Sequence, residues 1–377
     1  MESKQINLIP RTPPKERLKS LETLRGFDMA MLVGGCTIIT AVAEATDMGW
    51  LDGLATQMHH VSWEGFRFYD LIFPLFMFIS GAAIPYGISS KLEKGILSKV
   101  LLKKILWRFI ALVLLGIIYN GALRKGFTDL RYASVLGQIG VGYFFAALIF
   151  LYARRPVRIV LWLTGIMAAV AALQLFIPAP GYGAGSFEKG ANMNAWLDQL
   201  ILPGRLHNDV FDPEGVLCMV SAVVVTGMGG LAGYVIRSFN VSMQRKALWI
   251  ALGGALAIVL ALVLNPVYPI IKKMWTVPYV LLAGGTSALL LSLFYFVIDV
   301  KGINKWTPFF IVFGMNSITI YLGVKILDFG RASRFFLGWT QHHISEAWGD
   351  VFLACGVLVL QWAFLLFLYR KRIFLRI

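Results

Sequence analysis

The sequence predicts an all-α, polytopic transmembrane helical bundle of about ten spans, eleven at the upper limit. Composition is the first reason. The 377 residues are 58% hydrophobic and 15% charged, with a mean hydropathy of +0.71, whereas soluble chains average about 45–50% apolar and about 25% charged residues. A water-soluble globule has nowhere to bury that excess. The second reason is pattern: long stretches free of Asp, Glu, Lys and Arg recur, and the cations cluster between them. The net charge of +15 is therefore the loop charge of a membrane protein, which argues against a nucleic-acid partner.

Residues 1–25 form a basic N-terminal segment without the short apolar core of a cleavable signal. The stretches that follow are 29–43, 71–90, 109–123, 132–153, 159–187, 215–236, 247–271, 274–298, 306–324 and 351–369. The first and third are short, and flanking residues such as Phe27, Leu101 and Leu102 extend them. Together they make a transmembrane domain over 26–369, with a Gly-, Pro- and Asn-rich outer loop at 178–213 and a basic tail at 370–377. With a cytoplasmic N-terminus, the inner segments carry 24 Lys and Arg and the outer loops ten. That bias puts both termini in the cytoplasm. Cys36, Cys218 and Cys355 sit in apolar runs without metal-ligand spacing, so neither a disulfide nor a metal is expected. No internal repeat of the transporter kind is visible at residue identity.

This topology gathers all five histidines on the outer side. Four segments carry groups capable of chemistry. At the entry to the first span, Arg25-Gly26 places a fixed cation beside a backbone that can be approached closely. Asp28, one turn further on, is costly in an apolar span unless functional or paired. An interfacial anchor is the plain alternative for Arg25, and an ion pair with a nearby Arg for Asp28. The second segment runs from His59-His60 through Trp63-Glu64 and Arg67 to Asp70 and Pro74. An imidazole near a carboxylate can be oriented for general-base work, although a single loop histidine is more often merely solvated. The third, Arg205 to Gly215, packs Asp209, Asp212 and Glu214 with His207, fit for a polyhydroxylated or amino-bearing ligand. Asp212-Pro213 also reads as a helix start, with Asp212 as the cap and Pro213 in the first position. The fourth, Asn316-Ser317 inside the ninth span, reads first as helix-to-helix hydrogen bonding.

Five motifs in order resemble one family. They are Arg25-Gly26, His60-x-x-Trp63-x-Gly65, Asp70-Leu-Ile-Phe-Pro74 through Gly81, Phe211-Asp-Pro-Glu-Gly215, and Pro308 through Ser317. From Arg17 to Leu337 the chain is similar to the transmembrane heparan-α-glucosaminide N-acetyltransferase family and its bacterial homologues. The resemblance implies an integral membrane acetyltransferase of the cell inner membrane. It would move acetyl from cytoplasmic acetyl-CoA, a co-substrate, to the amino group of a glucosamine-type sugar outside.

By the family's spacing, the catalytic histidine is His60, not His59, with Asp70 beside it. Arg25 and Gly26 match its Arg-Gly. Coenzyme A is a bulky polyanion, so inner-face cations should hold its phosphates: Arg25, Lys103, Lys104 and Arg108. Acceptor contacts are expected from Trp63, Glu64, Asp28, Asp212, Glu214 and Asn316. Two departures fall on the acceptor side: Glu64 stands where the animal enzymes have Asn, and Cys36 near their active-site Asn. His60 can act as general base or as acetyl-accepting nucleophile, and the sequence leaves both open. O- or N-acylation of another envelope sugar is the alternative activity, and a transporter the alternative class. Release of free CoA separates enzyme from transporter. The expected partners are acetyl-CoA, a glycan acceptor, the lipid bilayer and a second copy in a homodimer.

Overall fold

The computed structural model describes residues 18–46, 48–125, 129–238 and 240–375. Residues 1–17 of the basic N-terminal segment and 376–377 of the tail, Arg376 among them, lie outside the described residues. Among the described residues all regular structure is helical, and β-pairing is confined to two isolated bridges, Glu64 with Ile271 and Arg131 with Gly204.

The first span, α1 (Lys19–Ala45), leads into a short α2 (Gly49–Gln57). Four long helices follow: α3 (Phe68–Glu93), α4 (Ser98–Tyr119), α5 (Val135–Ala153) and α6 (Pro156–Leu175). The loop 178–213 contributes α7 (Met193–Ile201), before α8 (Val216–Arg237), α9 (Met243–Leu264) and α10 (Val277–Val300). A bent pair, α11 (Thr307–Met315) and α12 (Ser317–Ile326), then α13 (Phe329–Leu337) and α14 (Glu346–Arg370), complete the chain. Eight of these helices are long and apolar enough to cross a membrane, or nine if α11 and α12, bent by 70°, count as one span. The remaining expected span is α4. It is 22 residues long, but its first half carries Lys99, Lys103, Lys104 and Arg108. Charge, not length, sets it apart.

Local chemistry explains the helix ends. The Ser134 hydroxyl caps α5 by accepting from Gly137 N at 3.0 Å. Pro156 opens α6 at a position whose N–H would have no helical partner anyway. One expectation is corrected here. Asp212 does not cap the following helix, and Pro213 is not its first residue; α8 starts at Val216. The cap comes from elsewhere, because Asp198 Oδ1 accepts from Val216 N at 2.8 Å and Asp198 Oδ2 from Asp212 N at 3.0 Å.

Consecutive long helices run in alternating directions. At one end meet the starts of α3, α5, α8 and α10, tied by contacts such as Glu64 with Ile271 and Arg131 with Asp212. At the opposite end Arg237 pairs with Glu93, and the Lys246 ammonium donates to Ile236 O at 2.8 Å. The centre is built from α1, α3, α5, α8 and α10, through fully buried side chains such as Leu24, Leu75, Phe78, Phe150 and Tyr279. The outer helices α6, α9 and α14 expose Trp162, Leu256 and Phe367, the faces a bilayer would cover. Small residues set the closest approaches. A Cβ on Gly229 would overlap the Phe78 carbonyl where α8 crosses α3.

Candidate active site

His60 sits just before α3, whose first turn supplies Asp70. The His60 Nδ1 lies 2.7 Å from Asp70 Oδ1. Asp70 is 1% exposed, while the His60 side chain is 52% exposed. The carboxylate is saturated with donors: its Oδ2 accepts from Arg67 N at 3.1 Å and Val61 N at 3.3 Å. An ionised carboxylate can only accept, so in a neutral imidazole bonded to Asp70 the Nδ1 carries the proton and Nε2 keeps its lone pair. The Tyr69 ring lies beside the imidazole, tilted by 59°, with 4.6 Å between ring centroids.

A third group completes the cluster from 212 residues away in sequence. Lys272 places Nζ 3.2 Å from Asp70 Oδ1 and 3.1 Å from His60 Nδ1. The bridge between Glu64 and Ile271 and the bond from Gly65 N to Ile270 O (2.9 Å) hold the two segments together. Gly65 makes that approach at φ +112°, a conformation L side chains rarely adopt. Burial lowers the Lys272 pKa, opposed by Asp70. Lys273 donates to Ser62 O at 2.9 Å.

These residues wall a cavity of about 460 Å³, and so do Trp63, Asp28, Arg131, Glu214 and Tyr321. The Trp63 indole donates to Phe187 O at 2.8 Å and meets Phe211 edge-on, which fixes the ring at the cavity wall. Also at the cavity, Arg131 bonds Asp212 through Nε at 2.7 Å, and its Nη2 reaches both Asp212 and Glu214. Two acids on one guanidinium divide unequally. Burial would raise Asp212, but the Arg131 hydrogen bonds outweigh it and hold that carboxyl below its ordinary range. Glu214 is pushed up to about 7, chiefly by burial, with Asp212 adding to it against Arg131. Burial likewise lifts Asp198 to about 6. His207 is lowered, first by burial and then by Arg131. The cavity thus brings a histidine–aspartate–lysine cluster and an arginine–acid cluster to one space.

At the opposite end of the bundle lies a second cavity, of about 520 Å³. Lys91, Lys103, Lys104 and Arg108 line it, with Trp107 and Tyr143. The Arg108 guanidinium lies 3.9 Å from the Tyr143 ring centroid and donates to Ser80 Oγ at 3.3 Å.

Of the residues singled out in the sequence, His60, Asp70, Trp63, Asp28 and Glu214 converge on the first cavity, and Lys104 and Arg108 on the second. Asp212 is 1% exposed behind Arg131. Asn316 is buried at the break between α11 and α12, next to the cavity-lining Ser317. Glu64 is exposed beside its bridge to Ile271. Arg25 is half-buried on α1 and lines neither cavity. The backbone of Gly26 packs on the Phe310 carbonyl of α11, where a Cβ would overlap it. Sequence reasoning missed Lys272, Arg131 and Asp198 as site members. A signal existed for the two cations: they fall on the side that the positive-inside rule leaves poor, where a cation is a candidate for pairing.

Comparison with known proteins agrees with the motifs. Residues 17–181 match a family described as a domain of unknown function, DUF5009. Heparan-alpha-glucosaminide N-acetyltransferase of Mus musculus is 27% identical over 97% of this chain and 61% of its own length. The Homo sapiens protein of the same name is 27% identical over 97% of the chain and 60% of its own length. The chain is similar to these acetyltransferases over nearly its whole length. It spans about 60% of the length of the curated relatives it matches. Similarity over nearly the whole chain includes both cavities and the His60 segment.

Proposed function

We propose that this membrane protein transfers an acetyl group from acetyl-CoA, bound at the basic end of the bundle, to the amino group of a glucosamine-type sugar at the His60 end. The observation that carries this reading is the pairing of the two cavities. One presents a His60–Asp70 pair at 2.7 Å. The other, formed by α3, α4 and α5, presents four cations suited to phosphates. Homology to proteins named N-acetyltransferases supplies the reaction class.

In this reading Lys91, Lys103, Lys104 and Arg108 hold the coenzyme phosphates, with Arg25 adding a cation at the same end of α1. The acceptor enters the cavity beside Trp63 and Glu214. Its amine attacks the thioester carbonyl while His60 Nε2 takes the N–H proton. The C–N bond forms, the C–S bond breaks, and the departing thiolate takes up a proton, leaving amide and free CoA. Asp70 holds the imidazole in the tautomer this needs and stabilises the imidazolium. Purified protein given acetyl-CoA and glucosamine should release free thiol only when both are present. A protein that moves acetyl-CoA or sugar across vesicles without releasing thiol would be a transporter.

Lys272 acts as a positioning residue, a fixed counter-ion for the buried Asp70. Lys272→Met is expected to lower kcat about 10- to 100-fold with little change in KM for acetyl-CoA, a part of the roughly 10²–10⁴-fold that general-base assistance contributes. Lys272→Arg should recover most of it. An unchanged kcat in Lys272→Met would remove the lysine from the catalytic cluster.

We also place both termini in the cytoplasm of a bacterial inner membrane, on the strength of the Lys and Arg asymmetry. Reporter fusions after Arg158 and after Lys189 should then report opposite sides. Identical sides would refute the topology.

A further inference from the structure

We propose that Asp28 is a subsite for the amide-bearing arm of the thioester donor, at the level where the two cavities approach each other. This placement rests on the acyl-CoA reading above and deepens it. Asp28 lies within the first span, is 2% exposed, and lines the first cavity. Its Oδ1 is buried without a hydrogen-bond partner. Buried polar atoms in folded proteins are nearly always paired, because leaving one unpaired costs its full desolvation. An unpaired carboxylate oxygen on a cavity wall therefore points to a ligand that brings an N–H or O–H.

The backbone around Asp28 is irregular in two places. α1 turns π-helical over Met31–Gly35 directly after it. Also lining the cavity, Ser317 follows the 70° break between α11 and α12. π-turns recur at functional sites. Broken helices at membrane depth persist where they line a cavity or are buried in protein.

The geometry also says which ligand reaches this depth. Phe76 on α3 and Ile139 on α5 line the first cavity. Four residues further along the same helices, Ser80 binds Arg108 and Tyr143 lines the second cavity. One helical turn, about 5.4 Å, separates the two cavities there. On the far side of that turn, Arg108 Nε is also buried without a partner. One unpaired acceptor thus belongs to a residue lining the first cavity and one unpaired donor to a residue lining the second. The pantetheine arm of a coenzyme A ester carries two secondary amides, each with one N–H and one C=O. An N–H suits Asp28 Oδ1, and a C=O suits Arg108 Nε. From Ser80 to Asp70 is ten residues of α3, about 15 Å. An extended pantetheine arm spans that distance, bringing the thioester to His60 while the phosphates stay on Lys91, Lys103 and Lys104.

The test is equilibrium binding to the full-length protein in detergent, with two probes and two variants. Coenzyme A carries the arm; adenosine 3′,5′-bisphosphate carries phosphates without it. Asp28→Leu is expected to weaken coenzyme A about 5- to 150-fold, the cost of leaving a buried amide N–H without its acceptor. It should leave the bisphosphate unchanged. Asp28→Asn keeps a carbonyl acceptor, folds under the least steric change, and is expected to lose less than Asp28→Leu. Unchanged coenzyme A binding in both variants overturns the subsite. So does equal weakening of both probes, which means a global defect. A rise in acceptor KM without loss of coenzyme A affinity assigns Asp28 to the sugar and also overturns it. Wild-type protein that binds neither probe refutes the acyl-CoA reading itself, a distinct failure.

Discussion

Replacing His60 with Ala is expected to abolish the proposed acetyl transfer, with a loss of at least about 10²-fold if the imidazole serves only as general base. The expectation follows from placement. His60 presents a half-exposed ring to the cavity while Asp70, buried at 1% exposure, holds its Nδ1 at 2.7 Å. Coenzyme A binding should survive, because the cationic cavity lies at the other end of α3. His59→Ala is the matched control: His59 is exposed and lines neither cavity, so it should keep most activity. With labelled acetyl-CoA and no acceptor, a general base leaves no label on the protein, whereas a nucleophile leaves acetyl on His60. Near-normal turnover in His60→Ala with loss in His59→Ala would show that the register is wrong. Normal turnover in both would end the catalytic assignment of this segment.

Arg131→Ala is the largest expected effect on stability. Arg131 is the cation that satisfies Asp212, whose side chain is fully buried, and it also reaches Glu214, 12% exposed. Removing one partner of a buried ion pair costs about 3–5 kcal/mol, because the other charge stays buried and unpaired. Asp212 also accepts from His207 N and Glu214 N at 3.0 Å, so its displacement loosens the whole approach to α8. Thermal unfolding in detergent should register the loss. Adding Asp212→Asn removes the stranded charge and should restore part of it. A melting temperature equal to the wild type's would mean that Arg131 is dispensable for the fold and serves the ligand alone.

Much of the architecture was legible because it is local. Spans of about 20 apolar residues are a property of consecutive residues, and the charge-free stretches recover the order of the long helices. α4 was legible as a long helix, although its Lys and Arg keep it out of the set apolar enough to cross a membrane. The histidine segment was legible too, because His60 and Asp70 lie ten residues apart and one loop joins them. Fixed spacing to Trp63 distinguished His60 from His59.

Tertiary structure decided the rest. Lys272 joins His60 from 212 positions away, and Arg131 meets Asp212 across 81. No local pattern encodes such pairs, because they depend on which loops meet when alternating helices pack. The cap of α8 shows the same limit. Asp212-Pro213 has the composition of a helix start, yet Asp198 from α7 takes the Val216 N–H, which leaves Asp212 to the guanidinium. Gly26 looked open to a ligand in sequence, and packing set it against the Phe310 carbonyl instead. The sequence by itself determined how many apolar segments there are, their order, and which histidine has the family spacing, since hydrophobicity and short-range spacing act along the chain. Only the folded bundle decided which charges neutralise one another and where two cavities come within a helical turn, because burial turns distant residues into neighbours and forces each buried charge to find a partner.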